Sequence, residues 1–266
     1  PMDAFVTLQN LLPQHGLSRL VGAAADCTWP WLAQPLIRII QRSYGIDLAE
    51  ATSDHFDSLN SFFTRALRED ARPLGEGLIS PVDGRVSECG PIHEQRLIQA
   101  KGHRYRLDAL LGVTDASAYA GGSFITIYLA PHNYHRVHVP WDAQLTAARY
   151  IPGRLFSVNP RTVAAVPDLF ARNERLVCHF ETAAGPRALI MVGAMLVAGI
   201  RSNWRSARYE ARRPVDETFE PARTYARGDE LGCFDFGSTV ILVESAVQAW
   251  RVTANDPVTL GMTLAS

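Results

Sequence analysis

The chain has 266 residues, 47% of them hydrophobic and 20% charged, with a formal net charge of −1. That length buries one large core or two modest ones, and a charge so near zero gives no signal for a polyanion, so nucleic acid is not expected as a partner. Four scattered cysteines, Cys27, Cys89, Cys178 and Cys233, form no Cys-x-x-Cys pair, which argues against a zinc site or a disulfide framework and suits a reducing compartment. No run of eighteen apolar residues occurs, so no membrane-spanning helix is expected. The N-terminus lacks a basic region followed by a long apolar run, so no secretory leader is expected either.

Residues 3–45 carry helical periodicity. Asp3 is placed to cap a first helix whose Phe5, Leu8, Leu11 and Leu12 share a face, stopped by Pro13 and Gly16. Ser18 is placed to cap a second, and a third holds Trp29, Trp31, Leu32, Leu36, Ile37, Ile39 and Ile40 beside Arg38 and Arg42. Gly45 fits a C-cap. Tryptophans, aliphatics and arginines on short helices suit a membrane interface; the alternative is that these faces pack on the protein's own core. Ser58 or Asp57 is expected to cap a short helix through Phe62 and Phe63, ending before Pro73.

From Leu78 the texture changes to strands and turns. Residues 97–100, 123–129, 176–181 and 187–192 read as short strands, the last extended by residues 192–200. Asp83-Gly84 reads as a hairpin turn. Near the C-terminus, Gly237-Ser238 opens into Thr239 and the apolar run Val240–Val243, which leaves no wet face and predicts a buried strand. A glycine ahead of a serine there is an ordinary turn signal, yet it also leaves a peptide carbonyl open to attack.

Three of the eight histidines, His132, His135 and His138, fall within seven positions of one segment, Tyr128-Leu-Ala-Pro-His-Asn-Tyr-His-Arg-Val-His138. Histidines at i and i+3 suit chelation, but no third ligand is obvious and Arg136 between them disfavours a cation, so no metal is expected. His135 and His138 share a side on a helical turn and oppose each other on a strand. A serine hydroxyl needs a base beside it, histidine is the natural one, and a carboxylate fixes its tautomer.

Taken together, the Ser80-Pro-Val-Asp-Gly turn, the Tyr134-His-Arg-Val-His segment and Gly237-Ser238-Thr239 resemble the bacterial and mitochondrial phosphatidylserine decarboxylase family. Phe62-Phe-Thr-Arg65, Ala100-Lys-Gly-His103, Pro152-Gly153, Leu155-Phe-Ser-Val-Asn159 and Leu169-Phe-Ala-Arg-Asn-Glu-Arg175 extend the likeness over most of the chain. Phe236 stands where the family usually has leucine, a small departure between apolar residues.

The resemblance implies an α+β protein: N-terminal amphipathic helices (1–75, membrane-associating) on a mainly β catalytic core (76–266) with lipoyl-like β-sandwich elements. It implies a catalytic triad of Asp83, His138 and Ser238 that cuts the chain between Gly237 and Ser238. The products are a β subunit, 1–237, and an α subunit, 238–266, paired as a heterodimer and expected to dimerise again. Ser238 becomes a covalent pyruvoyl group, with neither pyridoxal phosphate nor metal, and this group forms a Schiff base with phosphatidylserine. His135 is the implied proton donor and a substrate contact, with Ser157 a second contact. The implied location is an anionic membrane surface, on the cytoplasmic face of the inner membrane. Two other readings use the same residues. A conventional serine hydrolase lacks support, because Asp235-Phe-Gly-Ser-Thr239 is not a Gly-x-Ser-x-Gly elbow. The other is a non-enzymatic membrane-surface protein.

Overall fold

The apolar run after Ser238 sets the architecture, because a strand with no wet face needs a partner on each edge and a layer on each side. The computed structural model describes residues 9, 14–100, 103–195, 199–209, 212–235 and 238–266. The helical region holds α1 (Gln14–Asp26), α2 (Pro30–Tyr44) and α3 (Leu59–Phe63). Strands β1 (Leu78–Ile79), β2 (Gly84–Pro91), β3 (Arg96–Ala100) and β4 (His103–Arg106) follow, then α4 (Leu107–Leu111) and β5 (Ser123–Leu129). Next come β6 (Arg136–His138), β7 (Ala143–Ile151), the short helices α5 (Pro160–Val163) and α6 (Leu169–Arg172), β8 (Arg175–Thr182) and β9 (Gly185–Val192). The chain closes with β10 (Ile200–Ser202), β11 (Val215–Tyr225), β12 (Glu230–Phe234), β13 (Ser238–Glu244), β14 (Pro257–Val258) and β15 (Thr263–Ala265).

The protein is α+β and mostly sheet. Eight antiparallel strands run in the order β11-β7-β8-β9-β13-β5-β2-β14, and a second sheet runs β10-β12-β6. β13 lies between β5 and β9, with Val240 opposite Ile127 on one side and Met191 on the other. Side chains alternate across it. Val240 and Leu242 join a core with Leu129, Val137, Leu189 and Phe234, whereas Ile241 and Val243 join another with Phe124, Ile190 and Phe170. Two cores on one strand are what an uninterrupted apolar run requires.

A third core belongs to the helices: Ala25, Ile37, Ile46, Phe56, Leu59, Phe62 and Phe63. Ser58 caps α3 with a reciprocal capping box to Ser61, and Gly45 ends α2 in the left-handed conformation, as their sequences predict. Ser18 is not a cap. α1 runs from Gln14 through Gly16 and Ser18, because a glycine costs a helix only about 1 kcal/mol and packing against α3 offsets it. The helix expected over residues 3–12 falls, Gln9 apart, outside the described residues.

Two strand expectations change. β9 stops at Val192, and Ile200 opens a strand of the other sheet. Asp83-Gly84 is not a hairpin: β1 pairs with β15 while β2 pairs with β5 and β14, so the bend carries the chain between sheets.

Candidate active site

Ser238 opens β13 opposite Leu129 of β5. It is fully buried, and among the described residues its Oγ has no hydrogen-bond partner. Buried hydroxyls are normally bonded, since an unmet one costs about 1–3 kcal/mol; Thr239 Oγ1 beside it is unbonded as well, and of the two only Ser238 adjoins the Gly237 peptide. Gly237 and Phe236 lie outside the described residues.

His135 sits one residue ahead of β6, and its ring is wholly buried edge-on to Phe63 of α3, centroids 5.5 Å apart. Its Nδ1 lies 2.8 Å from the Asn133 carbonyl. A carbonyl only accepts, so Nδ1 carries the proton and the neutral ring's Nε2 is a bare lone pair. That Nε2 is buried without a partner. Burial lowers the His135 pKa to about 4, against an opposing pull from the Asn133 carbonyl.

His138 ends β6. Its Nδ1 donates to the Gly228 carbonyl at 2.7 Å, which leaves Nε2 to accept from Tyr134 Oη at 3.1 Å. Burial lowers its pKa, while the Gly228 carbonyl and the charges of Glu230 and Asp229 pull the other way. The ring is held neutral, in the tautomer a base needs.

Asp83 sits in the bend before β2. Its carboxylate is gripped by Arg72, Nε at 3.0 Å and Nη2 at 2.7 Å, and accepts from the Leu260 amide at 2.8 Å. Arg72 bonds Glu50 as well, at 2.6 Å, and its pKa is raised chiefly by Asp83. The same bend meets β6, since the His138 amide donates to the Pro81 carbonyl at 2.9 Å. No hydrogen bond joins the Asp83 carboxylate to His138: Gly228, not Asp83, fixes the ring. The Asp83 charge acts instead on His135 and Tyr134.

Ser157 lies in the loop after β7. Its amide accepts the company of the N-terminal segment by donating to Gln9 Oε1 at 2.8 Å, and its Oγ accepts from the Asn159 amide at 3.4 Å. No hydrogen bond links it to His135, His138 or Ser238. Among the described residues no group of three or more His, Cys, Asp or Glu is placed to hold a metal.

Sequence reasoning missed several members of the site. Arg72 carried no signal, because its partner is eleven positions away across an irregular stretch. Tyr134 lay inside the quoted motif, and Gly228 between two charged residues, but neither spacing reveals a side-chain contact with His138. Arg65 is buried beside the histidines, donating to the His132 and Asn133 carbonyls at 3.2 and 3.4 Å.

A family model described as phosphatidylserine decarboxylase matches residues 59–266, which contain every described strand together with Arg65, Arg72, Asp83, Tyr134, His135, His138, Ser157, Gly228 and Ser238. The chain belongs to the phosphatidylserine decarboxylase family. A second model, described as PSD, matches residues 4–45. Relatives named phosphatidylserine decarboxylase proenzyme agree over nearly the whole length. The one from Psychrobacter arcticus is 43% identical over 98% of this chain and 97% of its own. That from Pseudomonas aeruginosa is 44% identical over 98% and 96%, and that from Alcanivorax borkumensis 48% over 90% and 86%. Membership in this family makes the chain a carboxy-lyase, a decarboxylase made as a proenzyme.

Proposed function

We propose that the chain cuts itself between Gly237 and Ser238 and then converts phosphatidylserine to phosphatidylethanolamine and carbon dioxide. The observation that carries this reading is the buried, unbonded Ser238 hydroxyl at the head of β13. In the first step Ser238 Oγ attacks the Gly237 carbonyl, its proton passing to His138 Nε2 and from there to the Ser238 nitrogen as the C–N bond breaks, and the peptide becomes an ester. Tyr134 donates to that same nitrogen, so it must yield the position during transfer. Loss of the Ser238 α-proton then expels Gly237 as a carboxylate. Water replaces ammonia at the dehydroalanine end left behind, and a pyruvoyl group results. Asp83, held by Arg72 and the Leu260 amide, lends negative potential to His135.

The residues fit a pyruvoyl group: its precursor is the orphan Ser238, within a dry wall of apolar side chains. When present, the group supplies an electrophilic ketone and an electron sink for carbon dioxide loss. The protein's share is proton traffic. His135 is neutral at working pH, so it must gain a proton before giving one. The substrate amine arrives as an ammonium and must lose a proton to become a nucleophile. His135 Nε2 accepts that proton and returns it to the α-carbon after decarboxylation. A histidine whose burial disfavours its charge gives that proton up readily.

The cut piece 238–266 stays bound as an α subunit to the β subunit 1–237. Val240 to Val243 are each buried, and burying such a side chain is worth about 1.5–3 kcal/mol. Pairing of Leu78 with Ala265 and of Gly84 with Val258 brings residues 78–84 and the C-terminal strands together, which supports reading them as lipoyl-like halves. The region 1–75 docks on an anionic lipid surface at the cytoplasmic face of the inner membrane through Leu20, Trp29, Trp31 and Ile39, all exposed. No described helix is long and apolar enough to cross a membrane. Ser157 contacts substrate, and the two-chain unit dimerises.

Mass spectrometry of active protein tests the core of this reading. Two chains dividing after residue 237 are expected, the smaller without a free N-terminal amine. Ser238→Ala is expected to stay whole and inactive. An intact, active wild-type chain would sink the proposal, and ester hydrolysis by it would favour a serine hydrolase.

A further inference from the structure

Asp235 lies three residues ahead of Ser238 and takes no part in the chemistry above. Its carboxylate is buried, with Arg201 Nε 2.9 Å from one oxygen and Arg208 Nε 3.2 Å from the other. Both guanidiniums reach on to Asp26, the last residue of α1. Arg208 Nη2 donates to its two oxygens at 2.9 and 2.7 Å, and Arg201 Nη2 lies 3.8 Å away. Asp26 in turn accepts from Asn60 of α3. Two acids and two guanidiniums make a neutral cluster, the condition under which a buried carboxylate is tolerated. Burial raises the Asp235 pKa and the two arginines oppose it, so the charge is kept only while they stay. The backbone supports the same join: the Asp235 amide donates to the Gly199 carbonyl at 3.2 Å, and Arg201 pairs with Cys233 across β10 and β12.

Ser238, on the other side, is fixed by its ladder to β5. The two described residues that flank the bond to be cut are therefore held differently, Ser238 by the sheet and Asp235 by ions rooted in the helical region. We propose that Asp235 is a positioning residue for self-cleavage, and that Asp26, acting through Arg201 and Arg208, makes α1 part of the apparatus that presents the scissile bond to Ser238. This rests on Ser238 being the nucleophile. Attack within the chain is acutely sensitive to placement, a shift of about 1 Å costing on the order of a hundredfold in rate. The helices of a protein that acts on lipid are thereby wired to its maturation rather than merely attached beside it.

The test follows freshly synthesised full-length chain on a denaturing gel over time. Asp235→Asn keeps the shape and removes the charge. It is expected to slow cleavage about tenfold or more, while the fraction that matures decarboxylates within about twofold of wild type in kcat and KM. Asp235→Glu restores the charge and is expected to recover part of the rate. Asp26→Asn, at the half-exposed end of the cluster, is expected to slow cleavage by about threefold. Wild-type maturation of Asp235→Asn overturns the proposal, and if that variant does not fold, wild-type maturation of Arg208→Gln does so. Slowed cleavage accompanied by an equal loss of kcat in the matured fraction also overturns it, because that marks a general structural defect. Unslowed Asp26→Asn overturns the part given to α1. Ser238→Ala runs beside them: if it is cut, the nucleophile assignment fails whatever the aspartates do, and if it stays whole the outcomes above speak for the clamp alone.

Discussion

All seven residues of β13 are buried, whereas α2 and its N-cap leave Trp29, Trp31 and Ile39 at least 60% exposed. The two regions have similar apolar content and opposite fates. In β13 the apolar side chains alternate between two cores, so none is spare. In α2 Ala33 and Ile37 are buried and Ile40 packs half-buried against the helical core, while Trp31 and Ile39 look out. Monomeric proteins seldom expose neighbouring tryptophans without a use for them. The difference teaches that apolar residues in this chain have two placements: those of β13 fix Ser238 within the sheet, and part of those on α2 stay at the surface.

The sharpest way to break that contrast is to cut into β13. Leu242→Ala removes a side chain with no exposure, packed opposite Ile125 and Leu189. A loss of about 2–5 kcal/mol is expected, because the flanking strands cannot close the cavity. It is best measured by urea unfolding in a Ser238→Ala background, which keeps one chain. A loss under about 0.5 kcal/mol would mean that the strand is not the rigid mount described above.

A second effect separates the regions by pH. The described histidines with lowered pKa values, His135, His138 and His179, all belong to the sheet region. For His135 the value falls from 6.5 to about 4. The unfolded chain therefore binds more protons than the folded one between those values. Stability from this group is full above pH 6.5, drains as pH falls towards 4, and is lost below. The drop is about 3 kcal/mol, from 1.36 kcal/mol per unit. His135→Asn should flatten that slope in urea midpoints taken between pH 7 and 4; an unchanged slope would show that His135 is not buried neutral.

The sheet region was largely legible beforehand because its signals are local. Residues 123–129 form β5 as read, and the runs at 176–181 and 187–192 sit within β8 and β9. Ser238, His135 and His138 stood in recognisable segments, and the burial of Ser238 follows from a strand with no polar face. What could not be read was who holds whom. Arg72 on Asp83, Gly228 on His138, and the Asp26–Arg208–Asp235 cluster join residues 11, 90 and up to 209 positions apart. Such pairs depend on how sheets and helices are stacked, which periodicity does not encode. The cap at Ser58 was readable, whereas Ser18, expected to cap a helix, lies inside α1, because tertiary packing carried that helix past its glycine.

The smallest expected change in stability tests the outward-facing region. Trp29 and Trp31 stack at 5.7 Å and an interplanar angle of 28°, touching each other more than the core. Replacing both with alanine should move folding stability by no more than about 0.5 kcal/mol, since neither fills a buried site. If the pair enters a lipid interface, the same variant should bind vesicles containing anionic lipid about tenfold or more weakly, because each tenfold is about 1.4 kcal/mol and a tryptophan can bury more than that. The two measurements must diverge for the contrast to stand. A large loss of stability with unchanged vesicle binding would place the tryptophans in a core, and the helices would then serve the protein's own packing rather than a membrane.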